Sequence, residues 1–186
     1  MNVQIAAESR RKSEKTLLAA YPGATLLDVT SKGPAPWVQL SPFYPHGGIP
    51  VPFSDETSMS VEGVWQGLKV FENADVDTSK FSIKTMKGIK RSVRKNGPCL
   101  GHRKGPNGDE LLDYQTARWE IYLPTYKYLL ENSAKGIVAQ LTAMAAEKPV
   151  VLLDYETNSD VLDLRKPLSH AAMVVHHILG TWPSHS

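Results

Sequence analysis

Between Ser60 and Glu72, apolar side chains recur at Val61, Val64, Leu68 and Phe71, which predicts a helix with one face toward a core. Ser58 or Ser60 can cap it, because a hydroxyl accepts the unpaired N–H groups of a first turn. Beside the stripe runs a polar row, Glu62, Gln66 and Lys69, with Trp65 between. Gly63 and Gly67 each cost about 1 kcal/mol relative to Ala inside a helix, so a second backbone or a ligand is expected close to that face.

Other patterns are shorter. Residues 1–20 alternate Lys and Arg with Val3, Ala6, Ala7, Leu17 and Leu18, an amphipathic helix stopped by Tyr21-Pro22-Gly23. Two β-prone runs, 25–29 and 37–40, flank a Ser31-Lys32-Gly33-Pro34 turn. From Pro34 to Pro52 stand six of the 13 prolines, a density that excludes helix and central strand. This predicts a loop around Phe43, Tyr44 and Phe53. A short helix over 85–95 ends at Asn96-Gly97-Pro98, and 101–108 (GHRKGPNG) is a loop. A helical pattern from Leu112 carries Trp119, Tyr122 and Tyr126 on one face, and Pro124 must kink it or start a second helix. A helix over 134–146, a buried strand over 149–154 and a last helix from Pro167 or Ser169 to Ile178 complete the reading. The expectation is a mainly α (α+β), multihelical single domain over residues 1–186 with a small β element.

Composition narrows the class. The 186 residues contain no apolar run near the length of a membrane span, and residues 1–15 lack the continuous apolar stretch of a secretory signal. A cytoplasmic protein is expected. Its one cysteine, Cys99, rules out an intramolecular disulfide and a Cys-based zinc site. No metal or cofactor is expected, since His176 and His177 point apart on a helix and no HExxH spacing exists. The net charge of +2 conceals a division: residues 78–108 hold nine Lys and Arg and no Asp or Glu, leaving 12 against 19 elsewhere. Such a cationic island concentrates anions.

Glu62 is the sharpest chemical candidate. An amide one turn away can hold its carboxylate, and the neighbouring indole can desolvate it and raise its pKa. The plainer alternative is an exposed Glu favourable to the helix dipole. Asp154, Glu156 and Asp160 follow a buried strand, where carboxylates often line clefts, although turns rich in Asp and Asn look the same. Trp119, Tyr122 and Tyr126 offer stacking surfaces or simply core. GHRKGPNG does not have P-loop spacing, but its backbone with Arg103 and Lys104 can grip a phosphate.

Read together, Leu40-Ser41-Pro42-Phe43-Tyr44-Pro45 and the run from Ser60 to Phe71 (SVEGVWQGLKVF) resemble the paired signature of the YbiA-like NADAR family. Arg118-Trp119-Glu120 and Thr157-Asn158-Ser159-Asp160 resemble two further segments, so the likeness spans about residues 37–165. Pro42 stands where that family usually has Asn, and Leu162-Asp163-Leu164 where it has Trp-Gly. The resemblance implies a mainly α YbiA-like fold and hydrolysis of an N-glycosidic bond between a base and a ribose phosphate or ADP-ribose. It also implies Glu62 as catalytic glutamate, Asp160 as second acid and Trp119 as stacking group. Phe43, Trp65, Gln66, Lys69, Arg103 and Lys104 complete the expected substrate contacts. The partner is then a small ribose phosphate, an ADP-ribose conjugate or an ADP-ribosylated nucleic acid, and no membrane. Two alternatives stand beside this: a nucleic-acid-binding module built on the cations, and a catalytically inactive sensor of ADP-ribose or a related nucleotide.

Overall fold

The computed structural model describes residues 3–185. It is α+β, with helices outweighing three small sheets, and divides into two compact units. One comprises residues 1–41 and 134–186, and the other residues 42–133. Among the described residues, no helix is long and apolar enough to cross a membrane.

The first unit is built on Val150–Asp154, the centre of a three-stranded parallel sheet flanked by Ile5–Ser9 and Thr25–Asp28. Val150, Val151 and Leu152 are all buried, as expected for a parallel strand covered on both faces. The reading of residues 1–20 as one helix is corrected. Ile5–Ser9 is a strand, and the helix, Glu14–Ala20, begins only where the Ser13 hydroxyl accepts the Thr16 N–H. Trp37–Leu40, expected as a strand, is a 3₁₀ turn, its backbone closed by short-range bonds such as Gln39 N–H to Pro36 carbonyl. The helices Lys135–Glu147 and His170–Leu179 stand where the pattern put them, the second capped by Ser169 and closed by Gly180 in the left-handed region.

A buried ion pair ties this unit together. Asp154 Oδ2 accepts from Ser169 Oγ at 2.9 Å and lies 3.1 Å from His170 Nδ1. His170 Nε2 faces the Val29 carbonyl at 2.8 Å. A carbonyl only accepts, so Nε2 carries a proton, and the Nδ1 facing a carboxylate carries the other. Burial opposes a charged His170, but Asp154 outweighs it and raises the imidazole above its ordinary value. Burial likewise opposes the carboxylate, while His170 and Ser169 hold it below its ordinary range.

In the second unit the Glu62 helix runs over Val61–Leu68, its first turn capped by Ser60 Oγ accepting the Gly63 N–H at 2.9 Å. It ends earlier than periodicity predicted. Lys69–Phe71 turns extended and pairs antiparallel with Cys99–Arg103, which also carries Leu111–Leu112. The first residues of GHRKGPNG are therefore strand rather than loop. Residues 85–95 are also corrected: only Val93–Asn96 is helical, started by the Ser92 cap and stopped by Gly97 at φ +78°.

The two helix glycines have a backbone explanation. A Cβ on Gly63 would sit 2.7 Å from the Lys80 carbonyl oxygen, and one on Gly67 would sit 2.4 Å from the Phe81 ring. The 3₁₀ turn Thr78–Ser82 packs directly on this face, with Asp77 N–H donating to the Gly67 carbonyl at 2.8 Å. Gly63→Ala is expected to destabilise the protein by about 1–3 kcal/mol through overpacking, read as a lower urea midpoint with unchanged slope; no change would show that the turn can retreat.

Pro124 neither breaks its helix nor starts a new one. The segment from Tyr114 to Ser133 is continuous, and Arg118–Tyr122 widens to π geometry, with Leu123 N–H bonding the Arg118 carbonyl five residues back. A wider turn accommodates a ring that cannot donate and that would clash with the carbonyl four residues earlier.

Candidate active site

Glu62 is buried, not exposed on the first turn. Its N–H donates to the Pro42 carbonyl at 2.8 Å, which pins the proline-rich loop beside Phe43 to the start of the helix. One carboxyl oxygen, Oε1, accepts from Gln66 Nε2 at 2.7 Å. The amide orientation follows from chemistry: Gln66 Oε1 receives the Arg91 backbone N–H at 3.1 Å, and an N–H can only donate. Among the described residues, the only sealed side-chain polar atoms without a partner are the ring nitrogens of His102. The second oxygen of Glu62, which bonds no protein group, therefore reaches solvent.

Burial pushes the Glu62 carboxyl up, against the Gln66 hydrogen bond and the charges of Lys69 and Lys90. Lys69, half-buried at the start of the next strand, is pushed down by burial against the pull of Glu62. A carboxyl whose proton is held more tightly than usual because of burial, with one oxygen fixed and the other open, is equipped to deliver a proton.

An aromatic cluster borders the Glu62 helix. Trp65 is half-buried and lies 3.8 Å, centroid to centroid, from the His102 ring, with Tyr114 at 6.0 Å and Tyr122 at 5.7 Å. Burial and nearby Lys69 push His102 down to about 3, so this imidazole is neutral and acts as a flat support for the indole. Trp119 is half-buried on the π turn that carries Tyr122, and that turn packs against the Glu62 helix. Tyr126, stacked on Tyr122 at 5.9 Å, is core.

Glu62, Trp65 and Gln66 thus lie on one helix, Lys69 follows at the start of the next strand, and the Trp119 turn packs on that helix. Phe43 is linked to them through Lys90, whose ammonium lies 5.4 Å from the Phe43 ring centroid. Arg103 and Lys104 hold protein partners instead. Arg103 bonds Asp75 at 3.1 Å and the Asp109 carbonyl at 3.2 Å. Lys104 pairs with Glu110 at 3.2 Å and Glu120 at 3.5 Å, and covers Phe53. Asp160 belongs to the other unit, on an exposed turn where its carboxylate accepts the Leu162 N–H at 2.9 Å.

Sequence reasoning missed Arg91 as an organiser. Besides its backbone bond to Gln66, its guanidinium donates to the carbonyls of Gln66 (3.2 Å), Lys69 (2.7 Å) and Asp75 (2.6 Å) and lies over the Phe71 ring. Helix ends leave carbonyls unpaired, and a cation there satisfies both them and the dipole. Nothing in local patterning distinguishes Arg91 from its eight basic neighbours. His102 was missed too, because a histidine beside Arg103 and Lys104 reads as surface.

Residues 9–174 match the model of a family described as "Family of unknown function (DUF6939)". Among curated proteins and among solved structures, nothing matches the chain.

Proposed function

We propose that this chain, which belongs to the DUF6939 family of unknown function, is a cytoplasmic hydrolase with a YbiA-like site. Its reaction is cleavage of an N-glycosidic bond between a base and a phosphorylated ribose or ADP-ribose. The observation that carries the reading is Glu62 itself: a buried carboxyl, raised by desolvation, with Oε1 held by Gln66 and Oε2 free. Its likeness to the NADAR signature over Ser60 to Phe71 supports the same assignment.

The chemistry balances on that one group. Protonated Glu62 gives its proton to the departing base nitrogen as the bond to the anomeric carbon breaks. Positive charge then develops on the sugar, as in O-glycoside cleavage. The carboxylate left behind stabilises that charge and takes a proton from the water that adds to the anomeric carbon. The products are the free base and the ribose hydroxyl, and Glu62 is protonated again. Trp65, its plane supported by His102, offers a face for the base, an interaction of about 1–3 kcal/mol.

The test is incubation of purified protein with ribosylamino-pyrimidine phosphates and an ADP-ribosylated oligonucleotide, with released base as the readout. Release from at least one of these above the uncatalysed rate is expected; release from none overturns the reading.

A further inference from the structure

We infer that the cleft formed by residues 74–77, Lys80, residues 90–92, Lys95 and Asn96 is a binding site for a diphosphate group. It has a volume of about 400 Å³ and is lined by Lys80, Lys90, Arg91 and Lys95 together with Asp75 and Asp77. That volume falls in the range of ordinary small-ligand sites. The four cations form no ion pair with any described carboxylate. Lys80 donates to the Gly88 carbonyl at 2.8 Å, Arg91 to three further carbonyls, and Lys90 covers the Phe43 ring. These partners are neutral; the acids whose charge the cations feel, Asp77 near Lys80 and Arg91, Asp75 near Arg91 and Glu62 near Lys90, stand beyond ion-pair distance, so the cations are offset only in part.

Both acids, by contrast, are engaged elsewhere. Asp75 accepts from Arg103 and from the Val76 N–H, and Asp77 accepts from the Ser79 N–H. Four cations against two carboxylates leave a surplus of two positive charges. A diphosphate esterified at both ends carries about one negative charge per phosphate, which matches that surplus, and a concave wall of one sign focuses its field on such a group. Orthophosphate is smaller and meets fewer of the four cations at once.

The cleft is tied to the acid through hydrogen bonds. Arg91 in its wall donates its N–H to Gln66, and Gln66 donates to Glu62. A diphosphate seated here would therefore lie beside the helix that presents the carboxyl. The identity of its compound, an ADP-ribose conjugate, rests on the N-glycosidase reading; the site itself rests only on the cleft and its surplus of positive charge.

Calorimetric titration of the full chain with inorganic pyrophosphate and with orthophosphate tests this. Pyrophosphate is expected to bind about tenfold or more tighter than orthophosphate, with affinity falling as salt rises. Lys90→Ala with Lys95→Ala, both exposed positions, is expected to weaken pyrophosphate by about tenfold or more. Lys84→Ala with Lys87→Ala, equally basic but outside the cleft, should leave it unchanged. No pyrophosphate binding, or equal weakening by the two pairs, overturns the proposal as diffuse attraction to a basic surface. Because Glu62→Gln should bind pyrophosphate normally, the two readings fail separately. Intact binding with no base release from any substrate removes the glycosidase and keeps the cleft. Base release with an unchanged KM in Lys90→Ala/Lys95→Ala removes the cleft and keeps the glycosidase.

Discussion

Glu62→Gln is expected to reduce base release by about 10²–10⁴-fold, the size of a general acid's contribution, without weakening the fold at neutral pH. Glutamine keeps an Oε1 to accept from Gln66 and removes a carboxyl that burial penalises when charged. The sign of the pH effect follows from the raised pKa. What the wild-type carboxyl contributes to stability is fully present below its ordinary value of 4.5 and is lost as pH rises through its higher folded value. The variant does not titrate, so its stability relative to wild type should grow over that interval and then level off. Thermal unfolding across the acid-to-neutral range, alongside turnover, checks both halves. Wild-type turnover in the variant would remove Glu62 from the chemistry, and a deficit in stability equal at every pH would make it a packing residue.

The largest effect on stability should come from the other unit. Asp154→Ala is expected to cost about 3–5 kcal/mol, because it leaves His170 buried with its charge uncompensated. It also takes an acceptor from Ser169 Oγ and a negative charge from the N-terminus of the last helix. In the wild type the Asp154 contribution is present above its unfolded value of 3.8 and lost as pH falls through its lower folded value. The His170 contribution is present below its unfolded value of 6.5 and lost as pH rises through its higher folded value. The pair therefore supports the fold most fully between those two unfolded values and declines on either side. Urea denaturation at several pH values should show this dome in the wild type and a flatter profile in Asp154→Ala. A loss under about 1 kcal/mol would mean that the site relaxes around the missing carboxylate.

How much of this was legible depended on whether the governing interactions were local. The Ser60 and Ser169 caps, the Val150–Asp154 run and the one-turn spacing of Glu62 and Gln66 are short-range patterns, and they stand in the structure. The pressure on Gly63 and Gly67 could be read from their cost, although only the fold shows that residues 77–81 exert it. Ile5–Ser9 could not be read as a strand, because its partner lies 145 positions away and its own apolar content is modest. Lys69–Phe71 continued a convincing helical stripe, but pairing with Cys99–Arg103 outweighed it. Charge misled in the same way: Arg103 and Lys104 look free in a tract without acids, while Asp75, Glu110 and Glu120 approach them from outside it.

The sheet of the first unit also sets an order of events during synthesis. Ile5–Ser9 and Thr25–Asp28 do not pair with each other; both wait for Val150–Asp154, which leaves the ribosome more than 120 residues after Asp28. At about 5–20 residues per second, the two early strands stand unpaired for roughly 6–28 s. The continuous segment 42–133 is complete before that strand arrives. The helix bearing Glu62 can therefore be folded while Ile5–Ser9 and Thr25–Asp28 are still without their central strand.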